Sequence, residues 1–439
     1  MVFLTKENKQ QFQLHVAYVI ARYPTLTKTF VDREIHTLRK MGVDVQVFSI
    51  KSSDGPLSPS QRRMGEKITF LFPIRLRAGL AAHLHFLLRK PARYLSTLAY
   101  LLTRPHPTLR SHWTTLVHFS QGVYTARLIQ NSPAEHIHAH FLNQSATIAL
   151  VASRLLNLPY SVTVHASSEL FASPSMVQAK LSGAKFIATC TDYNRAYLTK
   201  LDKNLPEDKI KVIYHGLDTG EFRRNSPVDG GKDAVSETKE PLPRGRQSGK
   251  PVILSVGQLR ERKGFQYLIE ACGILHQQGV DFECRIVGEG PMRSALEQKI
   301  QALNLGEKVY LCGAMSQEDV KMEYEQASIF ALPAIMGSDG DRDGIPNVIL
   351  EAMAMELPVV STRHSGIPEV VEDGLNGLLV PPEDAAALAD QLLRLITNSR
   401  LSERLGRQGR QTVQAKFDPE TNAQALIEEF RPLGRPAAS

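Results

Sequence analysis

The feature that most restricts this chain is the order of its apolar runs. Residues 14–20, "LHVAYVI", read as a buried strand. "TKTFVDREIHTLRKMG" follows as a helix, with Val31, Ile35 and Leu38 on one face and Gly42 as its stop. "VDVQVFSI" is a second strand. This is a βαβ unit, and such units imply a parallel sheet with right-handed crossovers. The alternation pauses at residues 67–134, where "LRAGLAAHLHFLLRK" and "ARYLSTLAYLL" read as amphipathic helices. It resumes with "HIHAHF", "NQSATIALVASRLL", "YSVTVHA", "KFIATC", "DYNRAYLTKL" and "IKVIYHG".

Residues 225–250 are polar, rich in Gly, Pro and charge, and nearly devoid of large apolar residues, which predicts a flexible linker or surface loop. Beyond them the alternation restarts at "PVILSVGQL" and continues through "PVVST" and "GLLVPP" into terminal helices. A chain of 439 residues is too long for one ordinary core. The expectation is α/β, with two Rossmann-like, doubly wound domains facing a cleft. Residues 1–224 form the first, with a basic helical insert at 67–134. Residues 251–415 form the second, and a helix within 416–439 is placed to cross back to the first. Ligands in such sheets bind at the carboxyl ends of the strands.

Composition narrows the setting. "MVFLTKENKQQFQ" lacks the apolar core of a signal peptide, and no run of eighteen apolar residues predicts a spanning helix. Cys190, Cys272, Cys284 and Cys312 are scattered in apolar runs without metal-ligand spacing, which predicts buried reduced thiols and a cytoplasmic protein. The formal charge is +7, but residues 67–134 alone carry nine Lys or Arg and no acid. Basic charge is compatible with nucleic acid. Interleaved with Leu, Phe and Tyr, it suits an anionic membrane surface equally well.

The stretch "GSDGDRDGIPNVILEAMAMELPVV" alternates Asp339, Asp341 and Asp343. Counted as a calcium loop from Asp339, the sixth position is Gly344 as required, but the twelfth is Leu350; Glu351 arrives one residue late. Calcium is therefore a weak alternative, and a divalent Asp-x-Asp site competes with a plain solvated loop. Pro346 instead reads as a helix start. The unpaired amides near Asn347 and Val348 then make an anion-binding end. Glu351, one turn in, projects back towards it, and Asp343 lies just ahead. Cations follow the strand that ends at Gly257: Arg260, Arg262 and Lys263. A solvated basic turn is the ordinary alternative, but its position at a strand's carboxyl end favours phosphate.

At this point the residues resemble a family. "SVGQLRERKGFQYLIEA", "RIVGEGP", "VYLCGAMSQEDV", "GDRDGIPNVILEAMAMELPVVST" and "GIPEVVEDGLNGLLVPP" are similar to glycosyltransferase family 4, almost continuously over residues 251–382. "HIHAHF", "TVHASSEL", "TDYNRAYL" and "VIYHGLDTGEF" match more loosely, and "ARYPTLTKTFV" resembles the branch of colanic acid and exopolysaccharide glycosyltransferases. The resemblance implies the GT-B fold, a nucleoside diphosphate sugar donor and no metal cofactor. It places the family's Glu-x7-Glu motif on Asp343, contacting the transferred sugar, and on Glu351, contacting the ribose. Lys263 matches the phosphate-binding Lys, whereas Gln258 stands in place of the usual Arg, for which Arg260 or Arg262 is the substitute. His165 is implied to contact the sugar near the reacting carbon. Gly257, Gly344, Ile345, Asn347 and Val348 complete the expected donor site. Glu169 replaces the usual Asp and carries little weight.

His136, His138 and His140 alternate with no carboxylate or Cys partner apparent in sequence, so one face of a sheet is the plain reading. His215 and Gly216 are placed at a strand end bordering the cleft. The first helix lacks Gly-x-Gly-x-x-Gly, which argues against a dinucleotide, and the loop before it is assigned to the acceptor side. The expectation is a retaining glycosyltransferase acting on a glycan or lipid-linked acceptor at the cytoplasmic membrane face. Its rivals are a same-fold synthase with a sugar-phosphate acceptor, a non-catalytic sugar-nucleotide or calcium binder, and a nucleic-acid binder, the last not favoured.

Overall fold

The computed structural model describes residues 14–25, 29–53, 61–62, 65, 68–74, 76–105, 108–165, 176–223 and 249–431. Most of the expected linker, residue Glu169, Lys67 and Arg75 lie outside them.

The first sheet has seven strands: β1 (Leu14–Arg22), β2 (Val43–Lys51), β3 (Ile68–Phe70), β4 (His136–His140), β5 (Tyr160–Val164), β6 (Ile187–Thr189) and β7 (Ile210–Val212). They pair in the order β3-β2-β1-β4-β5-β6-β7, with every pair parallel. Its helices are α1 (Thr29–Lys40), α2 (Leu76–Arg89), α3 (Pro91–Leu102), α4 (Leu109–Ile129), α5 (Gln144–Leu156), α6 (Val177–Gly183) and α7 (Asp192–Leu201). The first unit forms for the reasons the sequence offers. In α1 the stripe Val31, Ile35, Leu38 is buried, Asp32 sits in the first turn and Arg39 and Lys40 in the last, complementing the helix dipole.

The second sheet has six strands: β8 (Val252–Val256), β9 (Glu283–Val287), β10 (Val309–Gly313), β11 (Ile329–Leu332), β12 (Val359–Thr362) and β13 (Leu378–Val380). Their order is β10-β9-β8-β11-β12-β13, again parallel throughout. Around them lie α8 (Phe265–Gln277), α9 (Arg293–Ala302), α10 (Gln317–Gln326), α11 (Asn347–Ala354), α12 (Ala385–Thr397) and α13 (Ser399–Lys416). Both sheets therefore reverse direction at one point, between β1 and β4 and between β8 and β11. A crevice opens at such a point above the strands' carboxyl ends.

The last helix, α14 (Pro419–Phe430), belongs to the other domain's core. Its Ala423, Leu426, Ile427 and Phe430 join Tyr18, Val31 and Ile35 beneath α1. Burying each large side chain contributes roughly 1.5–3 kcal/mol, enough to fasten the chain's end across the domain boundary.

The outward crossing comes earlier than residue 224. Leu217 and Phe222 are packed in the second domain's core, because the segment after β7 leaves the first sheet at Gly216. The Leu217 amide donates to the Phe417 carbonyl at 2.9 Å, so the outgoing and returning strands of chain run side by side. A Cβ on Gly216 would meet the Cα of Pro419 at 2.4 Å, which is why that position tolerates no side chain.

Candidate functional site

Three short segments meet at the second sheet's reversal point. β8 ends at Val256, just before Gly257, a short 3-10 turn spans Glu261–Lys263, and the loop 333–346 leads from β11 into α11. A Cβ on Gly257 would lie 3.2 Å from Lys263 Cε; its absence lets the Lys263 stem fold back over the strand end. Lys263 is thereby buried, and its Nζ lies 2.8 Å from Asp343 Oδ2. Arg262 donates from Nε to Asp343 Oδ1 at 3.2 Å and from Nη1 to Asp341 Oδ2 at 2.5 Å. Glu261 fastens the loop by accepting from Ser338 N and Oγ, and Asp339 accepts from the Asp341 amide at 2.9 Å. Each of the three alternating aspartates is thus engaged by a cation or a backbone amide.

Burial alone would raise the Asp343 pKa; Lys263 and Arg262 outweigh it and hold the carboxyl below its ordinary range. Lys263, Arg262 and Asp343 are one ion cluster, where the sequence assigned the cations and the acid to different parts of a ligand. Arg260 is exposed and outside it. α11 begins at Asn347 with Pro346 as its N-cap, and the Asn347 Oδ1 is buried without a protein partner beside the helix's first amides. Gly344 and Ile345 lie in the approach to this helix. Ile345 and Val348 direct their side chains against the second core, which leaves only their backbone for a ligand.

Glu351 is partly buried in a different company. It accepts from Tyr324 Oη at 3.2 Å and faces Arg33 Nη1 at 3.6 Å. Burial raises its pKa more than Arg33 and Tyr324 lower it. Arg33 comes from α1, in the first domain, so the pair spans the two domains. Its Nε and Nη1 are buried with no hydrogen-bond partner. Sequence reasoning missed Arg33, although a signal was present. Phe30, Arg33, Glu34 and Thr37 fall at the i, i+3, i+4, i+7 spacing of a second α1 face, and they line one cleft with Tyr214, His215 and Gly216.

The first domain's reversal point holds a file of imidazoles. His165, at the end of β5, is buried; its Nε2 lies 3.3 Å from His140 Nδ1 and its Nδ1 lies 3.2 Å from His215 Nε2. His140 Nε2 lies 3.1 Å from Glu34 Oε1, which also accepts from Tyr18 Oη at 2.8 Å. The alternating histidines therefore do have a carboxylate partner, supplied by α1 rather than by their own strand. His136 and His138 both hydrogen bond Ser161 Oγ at 2.7 Å, and His138 also reaches Thr163. Burial pushes the His136 pKa down to about 3 and that of His215 to about 4. Glu34 is partly buried, which raises its pKa, but His140 and the bond from Tyr18 hold its carboxyl below the usual value.

A carboxylate only accepts, so His140 Nε2 carries a proton. With His140 neutral its Nδ1 is bare, His165 donates from Nε2, and His215 donates from Nε2 to His165. A charged His140 donates at both ends and reverses the two later bonds. Phe30 lies over His165 and His215, at ring-centre distances of 5.0 and 4.4 Å. Two donor groups in this file have metal-like compactness: His165, Cys190 and His215, and Glu34, His138 and His140, with ligand atoms within 4.8 Å of one another in each. Imidazole and thiolate suit zinc chemically.

The two sides are latched. Glu369, in the 3-10 segment Ile367–Glu369, accepts from the first two amides of α7, Asp192 and Tyr193, each at 2.8 Å, and from Tyr214 Oη at 3.1 Å. A carboxylate at a helix N-terminus is favourably placed against the dipole. Arg342 adds a bond to Tyr193 Oη at 2.6 Å.

Comparison with known proteins agrees with this architecture. The profile for Glycosyltransferase Family 4 matches residues 27–221, and that for Glycosyl transferases group 1 matches residues 237–412. WcaL of Salmonella typhimurium, a proposed colanic acid biosynthesis glycosyltransferase, is 30% identical over 397 residues, covering 86% of this chain and 90% of that protein. The chain belongs to glycosyltransferase family 4. The amylovoran biosynthesis glycosyltransferase AmsK of Erwinia amylovora is 42% identical over 190 residues, 43% of this chain and 42% of that one. Among solved structures, Anabaena HepE in complex with UDP-glucose superposes with a TM-score of 0.67 at 16% identity, covering 95% of this chain and 99% of that one. The fold of this glycosyltransferase is GT-B.

Proposed function

We propose that this glycosyltransferase transfers a sugar, with retention, from a nucleoside diphosphate sugar to a glycan or lipid-linked acceptor of an extracellular polysaccharide. The observation that carries the reading is the Lys263–Asp343–Arg262 cluster at the mouth of α11. A diphosphate arriving at the α11 amides competes for Lys263 and Arg262. As they turn to phosphate, Asp343 is released to accept hydrogen bonds from the sugar. Glu351 accepts from ribose hydroxyls, and Arg33 brings a cation from the other domain towards the place where Gln258 supplies none. His165 flanks the reacting carbon from the first domain. In the transfer the bond from C1 to the diphosphate oxygen breaks, the acceptor oxygen bonds C1 on the same face, and its proton passes to the departing diphosphate. Positioning and charge stabilisation of that leaving group carry the catalysis.

The names of WcaL and AmsK support an exopolysaccharide product, and the UDP-glucose held by HepE supports a nucleotide-sugar donor. We place the reaction on the cytoplasmic side, where nucleotide sugars and reduced thiols coexist; none of the four cysteines is in a disulfide, and Cys312 is half-buried where the others are buried. No described helix is long and apolar enough to cross a membrane. No metal cofactor takes part in this reading. The test is a thermal-shift panel of UDP-, GDP- and ADP-sugars, followed by nucleotide release from the stabilising donor with and without EDTA. Stabilisation and EDTA-resistant release are expected. Release abolished by EDTA and restored by calcium or manganese overturns the metal-free reading, and a stabilising donor that is never cleaved makes the protein a binder.

A further inference from the structure

The insert between β3 and β4 is apolar on two sides. Its inner side is ordinary core: Phe86 of α2, Leu101 of α3 and Phe119 and Val123 of α4 pack beneath α5. Its outer side is apolar as well. Twelve of the sixteen exposed large apolar side chains among the described residues lie between Phe70 and Val117. They are ordered rather than scattered. Leu76, Leu80, Leu84 and Leu88 recur every fourth residue along α2, and Leu109, Trp113 and Val117 do the same on α4; Leu95 and Leu102 stand two turns apart on α3. Three consecutive helices thus each carry a core face and a second, uncovered apolar stripe. A solitary exposed leucine needs no explanation, but a contiguous patch of this kind marks an interaction surface.

The patch also has a direction. His83 on α2 bonds Ser120 on α4, and His85 bonds Gln130 just past it, so α2 packs on the second half of α4; α2 itself begins soon after β3 ends at Phe70, at the strands' carboxyl side. α4 ends six residues before β4 begins and returns antiparallel to the strands, as the last arm of a right-handed crossover does. The starts of α2 and α4 therefore lie towards the strands' carboxyl ends, on the cleft side. Leu76, Leu109 and Trp113, 78%, 85% and 72% exposed, are at those starts.

Charge decides the occupant. Arg77, Arg89, Arg93, Arg104 and Arg110 border the stripes, no acid occurs from residue 67 to 134, and none of the five is ion-paired among the described residues. A second copy docked face to face by a two-fold axis brings cations against cations with no carboxylate to answer them. An anionic bilayer supplies both an apolar layer for the leucines and a negative surface for the arginines. We propose that α2, α3 and α4 form a docking face for an anionic lipid surface, with the leading ends of α2 and α4 entering the headgroup layer and the cleft mouth held against the membrane. This stands independently of the transfer reaction.

Trp113 is the chain's only tryptophan, which makes its emission a single-site reporter. On vesicles of phosphatidylcholine with phosphatidylglycerol, Trp113 emission should shift to the blue and be quenched by brominated acyl chains. Binding should fall at least about tenfold on phosphatidylcholine alone and fall again as salt rises. L80Q/L84Q should lose co-sedimentation, as should the separate charge variant R77Q/R89Q/R93Q; both should keep a native circular-dichroism spectrum and nucleotide release from the donor. Emission indifferent to anionic vesicles, equal binding to neutral ones, co-sedimentation retained in both variants, or a concentration-dependent dimer that shields Trp113 and excludes vesicles would each overturn the proposal.

Discussion

The two reversal points share a topology and differ in how they are furnished. In the second domain, the charged cluster comes from two short stretches of chain, 257–263 and 339–351. Its groups are ions that neutralise one another: Lys263, Arg262, Asp341 and Asp343. In the first domain, the file comes from Glu34, His140, His165 and His215, four separate elements, and it is a carboxylate followed by imidazole rings joined nitrogen to nitrogen. An ion cluster can be opened by an incoming anion that replaces one partner. A hydrogen-bonded file has no such substitute and instead fixes orientation and proton position. Under the proposed function, this difference suits the second domain to holding the donor and the first to positioning what meets it.

Breaking the ion cluster should have the largest effect. Lys263→Ala leaves the partly buried Asp343 with one cation fewer and removes the proposed contact to the leaving group; nucleotide release should fall by about 100-fold or more. Asp343→Asn should impair release comparably, whereas Asp339→Asn, which loses only a bond to a loop amide, should change it little. Steady-state kinetics on the three variants checks this, and a Lys263 variant with unchanged rates would remove the cluster from donor binding.

Arg33→Ala should come next, with donor use weakened roughly tenfold, since it leaves the partly buried Glu351 without its cation and withdraws the charge that crosses from α1. Arg33→Lys keeps the charge but not the planar fork and should recover only part of the loss. Full recovery by Lys would mean that charge alone acts there.

Glu34→Gln sharpens the contrast from the other side. An amide nitrogen facing His140 Nε2 donates where the carboxylate accepted, which reverses the proton order along the file. Nitrogen-15 NMR of the imidazoles should show His165 and His215 changing tautomer, and kcat should fall more than KM rises. Unchanged tautomers would show that Glu34 does not set them. A stoichiometric zinc ion in the purified protein, lost in this variant, would mean that the file is a metal site.

The last contrast concerns stability against pH rather than rate. His136 and His215 have folded-state pKa values depressed to about 3 and about 4, below the roughly 6.5 of an unfolded chain. The unfolded state therefore binds more protons as pH falls below 6.5, and stability present above that value is lost towards pH 4. Each ring kept neutral should cost about 2 kcal/mol of stability by pH 5. Glu34 acts lower: its folded pKa is depressed, so its contribution is present above about 4.5 and lost as pH falls through the folded value. Urea denaturation from pH 7 to pH 5 checks the histidine part. A flat profile would mean that the rings are hydrated.

The strand and helix alternation, the parallel sheets and the loop leading into α11 were legible because each is written in contiguous residues. Apolar period, Pro346 before a helix and Gly257 after a strand are local facts, and Lys263 and Asp343 needed no distant partner to be suspected. Arg33 and Glu34 were passed over because in sequence they are two charges on an amphipathic helix. Their meaning comes from what α1 faces. The alternating histidines read as one buried face, which they are, but the carboxylate that gives His140 its role is more than a hundred positions away.

The sequence by itself determined two doubly wound α/β units, because hydrophobic period and turn chemistry act over a few residues. It also determined the helix start after Pro346 and an insert without acids. Only the tertiary structure decided that Asp343 neutralises Lys263, that Arg33 crosses to Glu351, that Glu369 latches onto α7, and that the insert's leucines face outward. Those facts rest on which nonlocal surfaces come together. Burial and pairing of charge are properties of a place in space, and no local pattern along the chain specifies them.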